Sequence, residues 1–313
     1  MPATRLWPAT FAAFLAAAAP NASAQELPAD EWLRQPVSDA TFRTYLDFFA
    51  YNADLPFDPQ IIDSTVDQGV IREHLSYVST AGVRVTAHLF RPSTPSSGPR
   101  PGVILLHGGN ANGKNGGNIG PLARLLARDQ WTVLAIDLLH FGERTTGLLA
   151  TFSNEEKAER LYNEPATYLE FVTQTVKDVS RGYDYLVNAR DVDPRRVALV
   201  GISRGAVLSA IAGAVDRRLA GVGLLHVGHM IIQERGHRPA ACPANYVARI
   251  SPRPLLFIST ENDALFPAET SIRPFQRLVS GHPVQVRWTE GPHGFLSSDD
   301  RSAVLEWLRA FPR

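Results

Sequence analysis

Hydrophobic residues along the chain follow two patterns, which predict two kinds of strand. The runs "GVIREHLSYVST" and "GVRVTAHLFRP" meet around Ala81-Gly82 and alternate apolar with polar residues, so they predict an antiparallel hairpin. Further along, six short runs are continuously apolar: "GVILLH", "WTVLAIDLL", "RVALVGI", "GVGLLHV", "PLLFIST" and "VQVRWTE". Continuous apolarity is typical of parallel strands that are covered on both faces.

The segments between these apolar runs have helical spacing. An amphipathic stretch from Asp39 to Tyr51 precedes the hairpin, and two later stretches place an apolar residue at every third or fourth position. Their apolar residues are Tyr168, Val172, Val176, Val179, Tyr183 and Leu186, and then Val304, Leu305, Trp307, Leu308 and Phe311. A hairpin followed by repeated strand–helix units predicts one α/β domain with a mostly parallel sheet and helices on both faces.

The N-terminus has the form of a secretory signal peptide. An apolar run from Ala9 to Ala19 precedes the small-residue site Ala22-Ser23-Ala24, which predicts cleavage after Ala24. The run is too short to span a bilayer, and no cysteine follows it for a lipid anchor. Residues 1–24 are therefore expected to be removed, leaving residues 25–313 as a periplasmic or secreted protein without a membrane anchor. The alternative is a buried N-terminal helix.

Composition excludes several classes of partner. The 313 residues carry 31 basic and 31 acidic side chains, so no basic surface for nucleic acid or anionic lipid is expected. Cys242 is the only cysteine, which rules out an internal disulfide. It lies in a Pro-flanked loop, so we interpret it as structural or incidental rather than as a nucleophile.

One pentapeptide carries the first candidate for chemistry. In "RVALVGISRGAVLSA", Gly201 and Gly205 flank Ser203 between a buried strand and a helix of small apolar residues. Such glycines allow a sharp turn that lifts the serine Oγ above the sheet edge, where the helix N-terminus also points. A plain helix-capping serine would explain Ser203 but not both glycines.

Two later strands end in an acid and a base. Asp263 follows "PLLFIST", and His293 follows "VQVRWTE" in "GPHGF". The carboxyl ends of parallel strands meet at one edge of a sheet, so both groups are expected near Ser203. A serine nucleophile needs a base to take its proton and an acid to orient that base. Glu261, two residues before Asp263, is the alternative acid.

The segment "GVILLHGGNANGKNGGN" supplies backbone donors for an oxyanion. Glycine leaves its N–H accessible, so we assign the oxyanion hole to the N–H of Gly109, or of its neighbour Gly108, together with that of Arg204. A phosphate-binding loop is the rival interpretation. It is disfavoured because Lys114 is followed by Asn115 rather than by Ser or Thr.

These motifs resemble those of the α/β-hydrolases, in particular the dienelactone-hydrolase-like and prolyl-oligopeptidase-like group, which includes many bacterial acyl esterases. The matching pieces are "HGG", "DVDPRRVALVGISRG", "PLLFISTENDALFP" and "GPHGF", and the resemblance covers roughly Gly69 to the C-terminus. Three departures are visible. Ser203 stands where dienelactone hydrolase has cysteine, and Thr260 and Ala206 stand where glycine is common. Prolyl oligopeptidases also carry a large propeller domain, for which no segment here is long enough.

Substrate contacts are expected from the loops at the same sheet edge. We assign them to Gly108, Asn110, His140, Glu143 and Arg144, and a small cap is possible around residues 145–165. The Arg204 side chain has two interpretations, namely binding a substrate carboxylate or forming a surface ion pair.

A metal site is not expected. His226, His229, His237 and Cys242 lie in one stretch, but their spacing matches no zinc pattern. Pocket lining or an ordinary loop is the interpretation we favour.

The expected function is hydrolysis of small carboxylic esters, short-acyl or linked to a sugar or an aromatic alcohol, without a cofactor. One alternative is a peptidase or amidase, for which Glu143 is the obvious group to bind an amine. The other is a non-catalytic binding protein on the same scaffold. The sequence pattern predicts no particular oligomeric state.

Overall fold

The architecture is known from a computed structural model that describes residues 28–229 and 238–311. The proposed signal peptide at residues 1–24 lies outside the described residues and stays a prediction. In the described ranges, no helix combines the length and apolarity that crossing a membrane requires.

A nine-stranded sheet forms the centre of the protein. Its strands are β1 (Gln60–Asp67), β2 (Val70–Thr80), β3 (Val83–Pro92), β4 (Arg100–Leu106), β5 (Thr132–Ile136), β6 (Val192–Ile202), β7 (Gly221–Leu225), β8 (Leu255–Thr260) and β9 (Val284–Thr289). The spatial order is β1-β2-β3-β5-β4-β6-β7-β8-β9. Pairing is antiparallel from β1 to β3 and between β3 and β5, and it is parallel from β5 to β9.

The helices described in the chain are α1 (Pro28–Arg34), α2 (Asp39–Tyr45), α3 (Ile119–Arg128), α4 (Asn154–Lys157), α5 (Pro165–Ala189), α6 (Arg204–Val215), α7 (Arg273–Arg277) and α8 (Ser298–Arg309). The amphipathic stretch expected from Asp39 to Tyr51 ends earlier as an α-helix, because α2 passes into a 3₁₀ turn at Leu46–Phe49. A π-helical turn, Ala158–Tyr162, directly follows α4.

Helices cover both faces of the sheet, as the continuously apolar strands require. Alternate residues of β4 enter different cores. Ile104 and Leu106 pack with the residues of α5 and α6, whereas Val103 and Leu105 pack with those of α3 and α8. All six apolar residues of the repeating pattern in α5 are buried. The predicted α/β fold, with an antiparallel hairpin before a parallel sheet, is therefore confirmed.

The two edges of the sheet differ from the sequence prediction. Strand β1 was not predicted, because every one of its side chains is exposed and its sequence "QIIDSTVD" has no buried alternation. Strand β9 was predicted to be covered on both faces, and this is wrong. It lies at the edge and has no buried side chain, Val286 being 47% exposed.

Buried ion pairs hold the loops above the sheet. Arg144 donates to a carboxylate oxygen of Asp178 at 2.7 Å, and both side chains are buried. The other oxygen of Asp178 accepts hydrogen bonds from the Ser79 hydroxyl at 2.6 Å and from the Gln174 amide at 2.7 Å. The loop after β5 is thereby joined to α5 and to the hairpin strand β2.

The Asp178→Ala variant should be strongly destabilised, because it leaves the buried guanidinium of Arg144 without a carboxylate. Breaking such a pair from one side costs about 3–5 kcal/mol. Urea denaturation measures the change as a shift of the unfolding midpoint. The control is Asp129→Ala, which removes a surface pair with Arg309 and should shift the midpoint far less. Equal shifts in the two variants would contradict this account of the buried pair.

Candidate active site

Ser203 occupies a tight turn between β6 and α6. Its backbone has φ 54° and ψ −117°, a conformation that residues other than glycine rarely adopt. Gly201 and Gly205 must both be glycine, because neighbouring backbone atoms leave no room for a Cβ at either position. A Cβ on Gly201 would lie 2.3 Å from the carbonyl oxygen of Gly205, and one on Gly205 would lie 2.4 Å from that of Leu106. The Ser203 N–H donates to Leu225 on neighbouring β7 at 2.8 Å, which fixes the turn to the sheet.

His293 lies between Ser203 and Asp263. Its Nε2 is 2.7 Å from the Ser203 Oγ, and its Nδ1 is 2.7 Å from an oxygen of Asp263. The other oxygen of Asp263 accepts the N–H groups of Leu265 and Phe266 at 2.9 and 2.8 Å. The three side chains singled out from the sequence are therefore adjacent and arranged in one chain of hydrogen bonds.

The alternative acid, Glu261, is turned away from the base. Its carboxylate pairs with Arg273 at 2.6 Å, and its side chain is 52% exposed. Thr260, which replaces a common glycine, donates its hydroxyl to the Gly291 carbonyl at 3.0 Å. This hydrogen bond joins the end of β8 to the loop that carries His293.

Electrostatics keep Asp263 ionised. Burial by itself would raise the pKa of this carboxyl group, but the hydrogen bonds from His293, Phe266 and Leu265 outweigh burial and hold the pKa below its ordinary value. An ionised Asp263 accepts the Nδ1–H of His293, so the Nε2 lone pair is available to the Ser203 hydroxyl. This is the protonation pattern that a general base requires.

The loop after β4 presents a polarised peptide group. The Gly108 carbonyl accepts hydrogen bonds from His107 Nδ1 at 2.6 Å, from the Asn110 N–H at 2.8 Å and from Asn110 Nδ2 at 3.2 Å. Because C=O and N–H of a trans peptide point in opposite directions, the Gly109 N–H faces away from these three donors. His107 Nε2 accepts the Leu138 N–H at 3.0 Å, which leaves the proton on Nδ1. Burial lowers the pKa of His107 and favours this neutral form.

Gly109 and Arg204, the two predicted oxyanion donors, are neighbours in space. A Cβ on Gly109 would lie 3.7 Å from the Cβ of Arg204. The Arg204 side chain is buried rather than at the surface. Its guanidinium lies 3.8 Å from the centroid of the Tyr162 ring and donates to the Tyr168 hydroxyl at 3.2 Å.

Two adjoining cavities open at Ser203. The larger, of about 270 Å³, is lined mainly by the glycine-rich loop after β4 and by the His293 loop. The smaller, of about 60 Å³, is lined by Gly109, Asn154, Lys157, Tyr162, Ser203, Arg204, Leu265 and Phe266. Asn154, Lys157 and Tyr162 were not predicted as site residues, although they fall inside the cap proposed at residues 145–165. Their polar segment carries no motif that would have identified them individually.

The predicted substrate contacts divide into two groups. Gly108 and Asn110 line the larger cavity. His140, Glu143 and Arg144 line neither cavity, and each has a polar atom that hydrogen-bonds within the fold. His140 hydrogen-bonds the Thr146 hydroxyl at 2.7 Å.

Internal ion pairs explain the positions of the other two side chains. The Glu143 carboxylate accepts a hydrogen bond from the buried ammonium of Lys114 at 2.5 Å, and its other oxygen lies 2.9 Å from a ring nitrogen of His74. Arg144 donates to the Asp137 carbonyl and to Asp178. Both side chains thus anchor the loop after β5, and the substrate contact expected of Glu143 and Arg144 stays a prediction.

Groups with metal-ligand chemistry also meet at this site. His226, Asp263 and His293 each offer one ligand atom, and these atoms lie within 4.8 Å of one another. Two of the three are the proposed acid and base, whose nitrogen and oxygen atoms are already used in the chain from Ser203. His226 is buried edge-to-face against His293 with ring centroids 5.9 Å apart, and burial lowers its pKa. His229 contacts Cys242 at 3.3 Å, whereas His237 lies outside the described residues.

Solved structures share the fold of this chain at low sequence identity. An acetyl xylan esterase from Paenibacillus sp. R4 superposes with a TM-score of 0.64 at 16% identity, covering 91% of this chain and 100% of that one. Acetyl xylan esterase 1 from Thermoanaerobacterium sp. JW/SL YS485 gives 0.62 at 15% identity, with 91% and 99% covered. A glucuronoyl esterase from Solibacter usitatus gives 0.57 at 17% identity, with 88% and 95% covered.

A search of curated protein sequences found no match. A comparison with family profiles agrees with the fold. The profile of the alpha/beta hydrolase family matches residues 103–313, which span β4 to the C-terminus and include Ser203, Asp263 and His293. The chain therefore belongs to the alpha/beta hydrolase family.

Proposed function

We propose that the protein is a serine hydrolase that cleaves carboxylic esters through an acyl-enzyme on Ser203. The observation that carries the proposal is the position of His293, which lies 2.7 Å from both the Ser203 Oγ and Asp263 at the opening of a cavity. A hydroxyl, a base and an orienting acid in this order form the arrangement that activates serine for acyl transfer.

The reaction follows from the positions of these groups. His293 Nε2 accepts the Ser203 proton as Oγ attacks the ester carbonyl carbon. The Gly109 and Arg204 N–H groups bind the negative oxygen of the tetrahedral intermediate. His293 then gives the proton to the alcohol oxygen as its bond to the carbonyl carbon breaks. A water molecule, deprotonated by the same histidine, attacks the acyl-enzyme, and His293 returns that proton to Ser203 Oγ as the bond between Oγ and the acyl carbon breaks and the acid leaves. Asp263 stabilises the imidazolium that forms in each half of the reaction.

The shape of the site favours small substrates. The cavity beside Ser203 measures about 60 Å³, which suits a short acyl group or another small substituent. Fold neighbours include acetyl xylan and glucuronoyl esterases, which supports esters with a short acyl group or a sugar part. The peptidase alternative loses its amine-binding candidate, because Glu143 pairs with Lys114 and His74.

Export is part of the proposal, on the strength of the apolar run and small-residue site in residues 1–24. When the full chain is expressed in a bacterium, the protein recovered from the periplasm or medium is expected to begin at Gln25. N-terminal sequencing of that material checks this expectation. An uncleaved N-terminus on protein retained in the cytoplasm would contradict export.

The central experiment compares wild-type protein with Ser203→Ala on phenyl acetate and on an aminoacyl anilide. Wild type should hydrolyse the ester, and the variant should lose activity by about a million-fold because no nucleophile remains. A fluorophosphonate probe should label wild type only. Turnover of the anilide alone would overturn the esterase assignment, and failure of the probe to label wild type would favour a non-catalytic binding protein.

A glycine pair in the same loop tests the oxyanion hole. In Gly109→Ala the new Cβ would lie 3.0 Å from the Tyr162 hydroxyl, so the peptide must shift, and kcat should fall about tenfold to a hundredfold. Gly117 also lines the larger cavity, but a Cβ there meets no atom within 4 Å. Gly117→Ala should therefore keep the wild-type kcat in the same steady-state assay. Equal losses in the two variants would argue against a role for Gly109.

A further inference from the structure

Lys157 places a buried positive charge beside the nucleophile. The residue is 9% exposed and lines both cavities together with Ser203. Its Nζ donates to the Gly109 carbonyl at 2.9 Å. Among the residues that the structure describes, no carboxylate lies within the 4.0 Å of Nζ that defines an ion pair. A largely buried ammonium group with one neutral acceptor is costly, because its charge has lost most of its contact with bulk water.

The acidic neighbours of Lys157 in the chain do not neutralise this charge. Glu156 directs its carboxylate to the backbone N–H groups of Ala150, Thr151 and Phe152 at 2.9, 2.7 and 2.9 Å. Glu155 is exposed to solvent, and its charge raises the pKa of Lys157 without cancelling the lowering by burial and by Arg204. The hydrogen bonds of Glu156 close the loop before α4, so they hold the segment that carries Lys157 in a fixed position.

The surroundings of the ammonium increase the positive potential. Burial, and then the nearby positive charge of Arg204, lower the pKa of Lys157. The small cavity between these two side chains has an apolar wall of Leu265 and Phe266 and an amide from Asn154, and none of the described residues that line it is acidic. A cavity of this kind is suited to a small anion that enters with one side against the apolar wall.

We propose that the ester substrate carries a second, negatively charged group, a carboxylate, which Lys157 binds in the small cavity beside Ser203. This inference rests on the proposed ester hydrolysis and specifies its substrate class. The carboxylate belongs either to the acyl part or to the alcohol part of the ester. Binding satisfies the Lys157 donors and pairs its charge, and the reacting carbonyl is held at Ser203 by a contact some atoms away.

Two pairs of probes separate these sources. Monophenyl glutarate and phenyl pentanoate differ by a charge on the acyl side, and 4-acetoxybenzoate and phenyl acetate differ by a charge on the alcohol side. Each is measured with Ser203→Ala as the blank, which removes spontaneous hydrolysis. In wild type, one anionic ester should have a kcat/KM at least about tenfold above its neutral partner, as expected for a hydrogen bond to a charged group.

Lys157→Met tests whether this side chain causes the preference. The variant should lower kcat/KM for the preferred anionic ester by about 10- to 100-fold and change the neutral partner by less than about threefold. Arg160→Met is the matched control. It removes a positive charge from the same segment, but its side chain is 56% exposed and lines neither cavity, so the preference should persist.

The outcomes distinguish the two proposals. Equal losses on charged and neutral esters in Lys157→Met would identify Lys157 as a strut for Gly109 and overturn the anion site. The anion site would also be overturned if wild type hydrolysed the neutral esters and preferred neither charged ester. This comparison uses wild type, so it does not depend on the folding of a variant. Absence of any ester hydrolysis in wild type would overturn the proposed function together with the inference.

Discussion

The close approach of the Ser203 turn to β4 is the constraint on which the rest of the site depends. Gly205 packs so tightly against the Leu106 carbonyl that any side chain there would displace one strand or the helix. Since β4 and β6 are neighbours in the sheet, this contact brings the loop after β4 directly over the start of α6. Gly109 and Arg204 are adjacent for that reason, although they are far apart in the chain.

The remaining parts of the site are tied to this turn by hydrogen bonds between loops. The Thr260 hydroxyl donates to the Gly291 carbonyl and so joins the end of β8 to the loop that carries His293. The side-chain amide of Asn118 donates to the Gly294 carbonyl in the same loop. The loop after β4 is further fixed by Lys114, which is buried and bonded to both Asp137 and Glu143. These contacts fix separate loops in relation to one another, so the distances around His293 do not depend on any one loop being rigid by itself.

The sequence predicted the parts of the site that local chemistry determines. Glycines two residues before and after Ser203 specify the turn, and the ends of β8 and β9 supply Asp263 and His293 because parallel strands share one edge. The contacts of Glu143 and Arg144 could not be predicted in this way. Each forms an ion pair with a partner distant in the chain, and no local pattern indicates which of two polar side chains turns inward. Strand β1 escaped prediction for the opposite reason, because a strand with no buried face has no hydrophobic period.

The buried cations of the described chain show how unusual Lys157 is. Lys114 has two carboxylate partners, and Arg144 has one together with a backbone carbonyl. Arg181 donates to two backbone carbonyls and pairs with the carboxylate of Asp184. Each of these charges is compensated within the fold, so each has a structural role. Lys157 has a single carbonyl, and the space beside it is the cavity that opens at Ser203. Because an uncompensated charge weakens folding, its position at the site is most simply explained by compensation from a bound substrate.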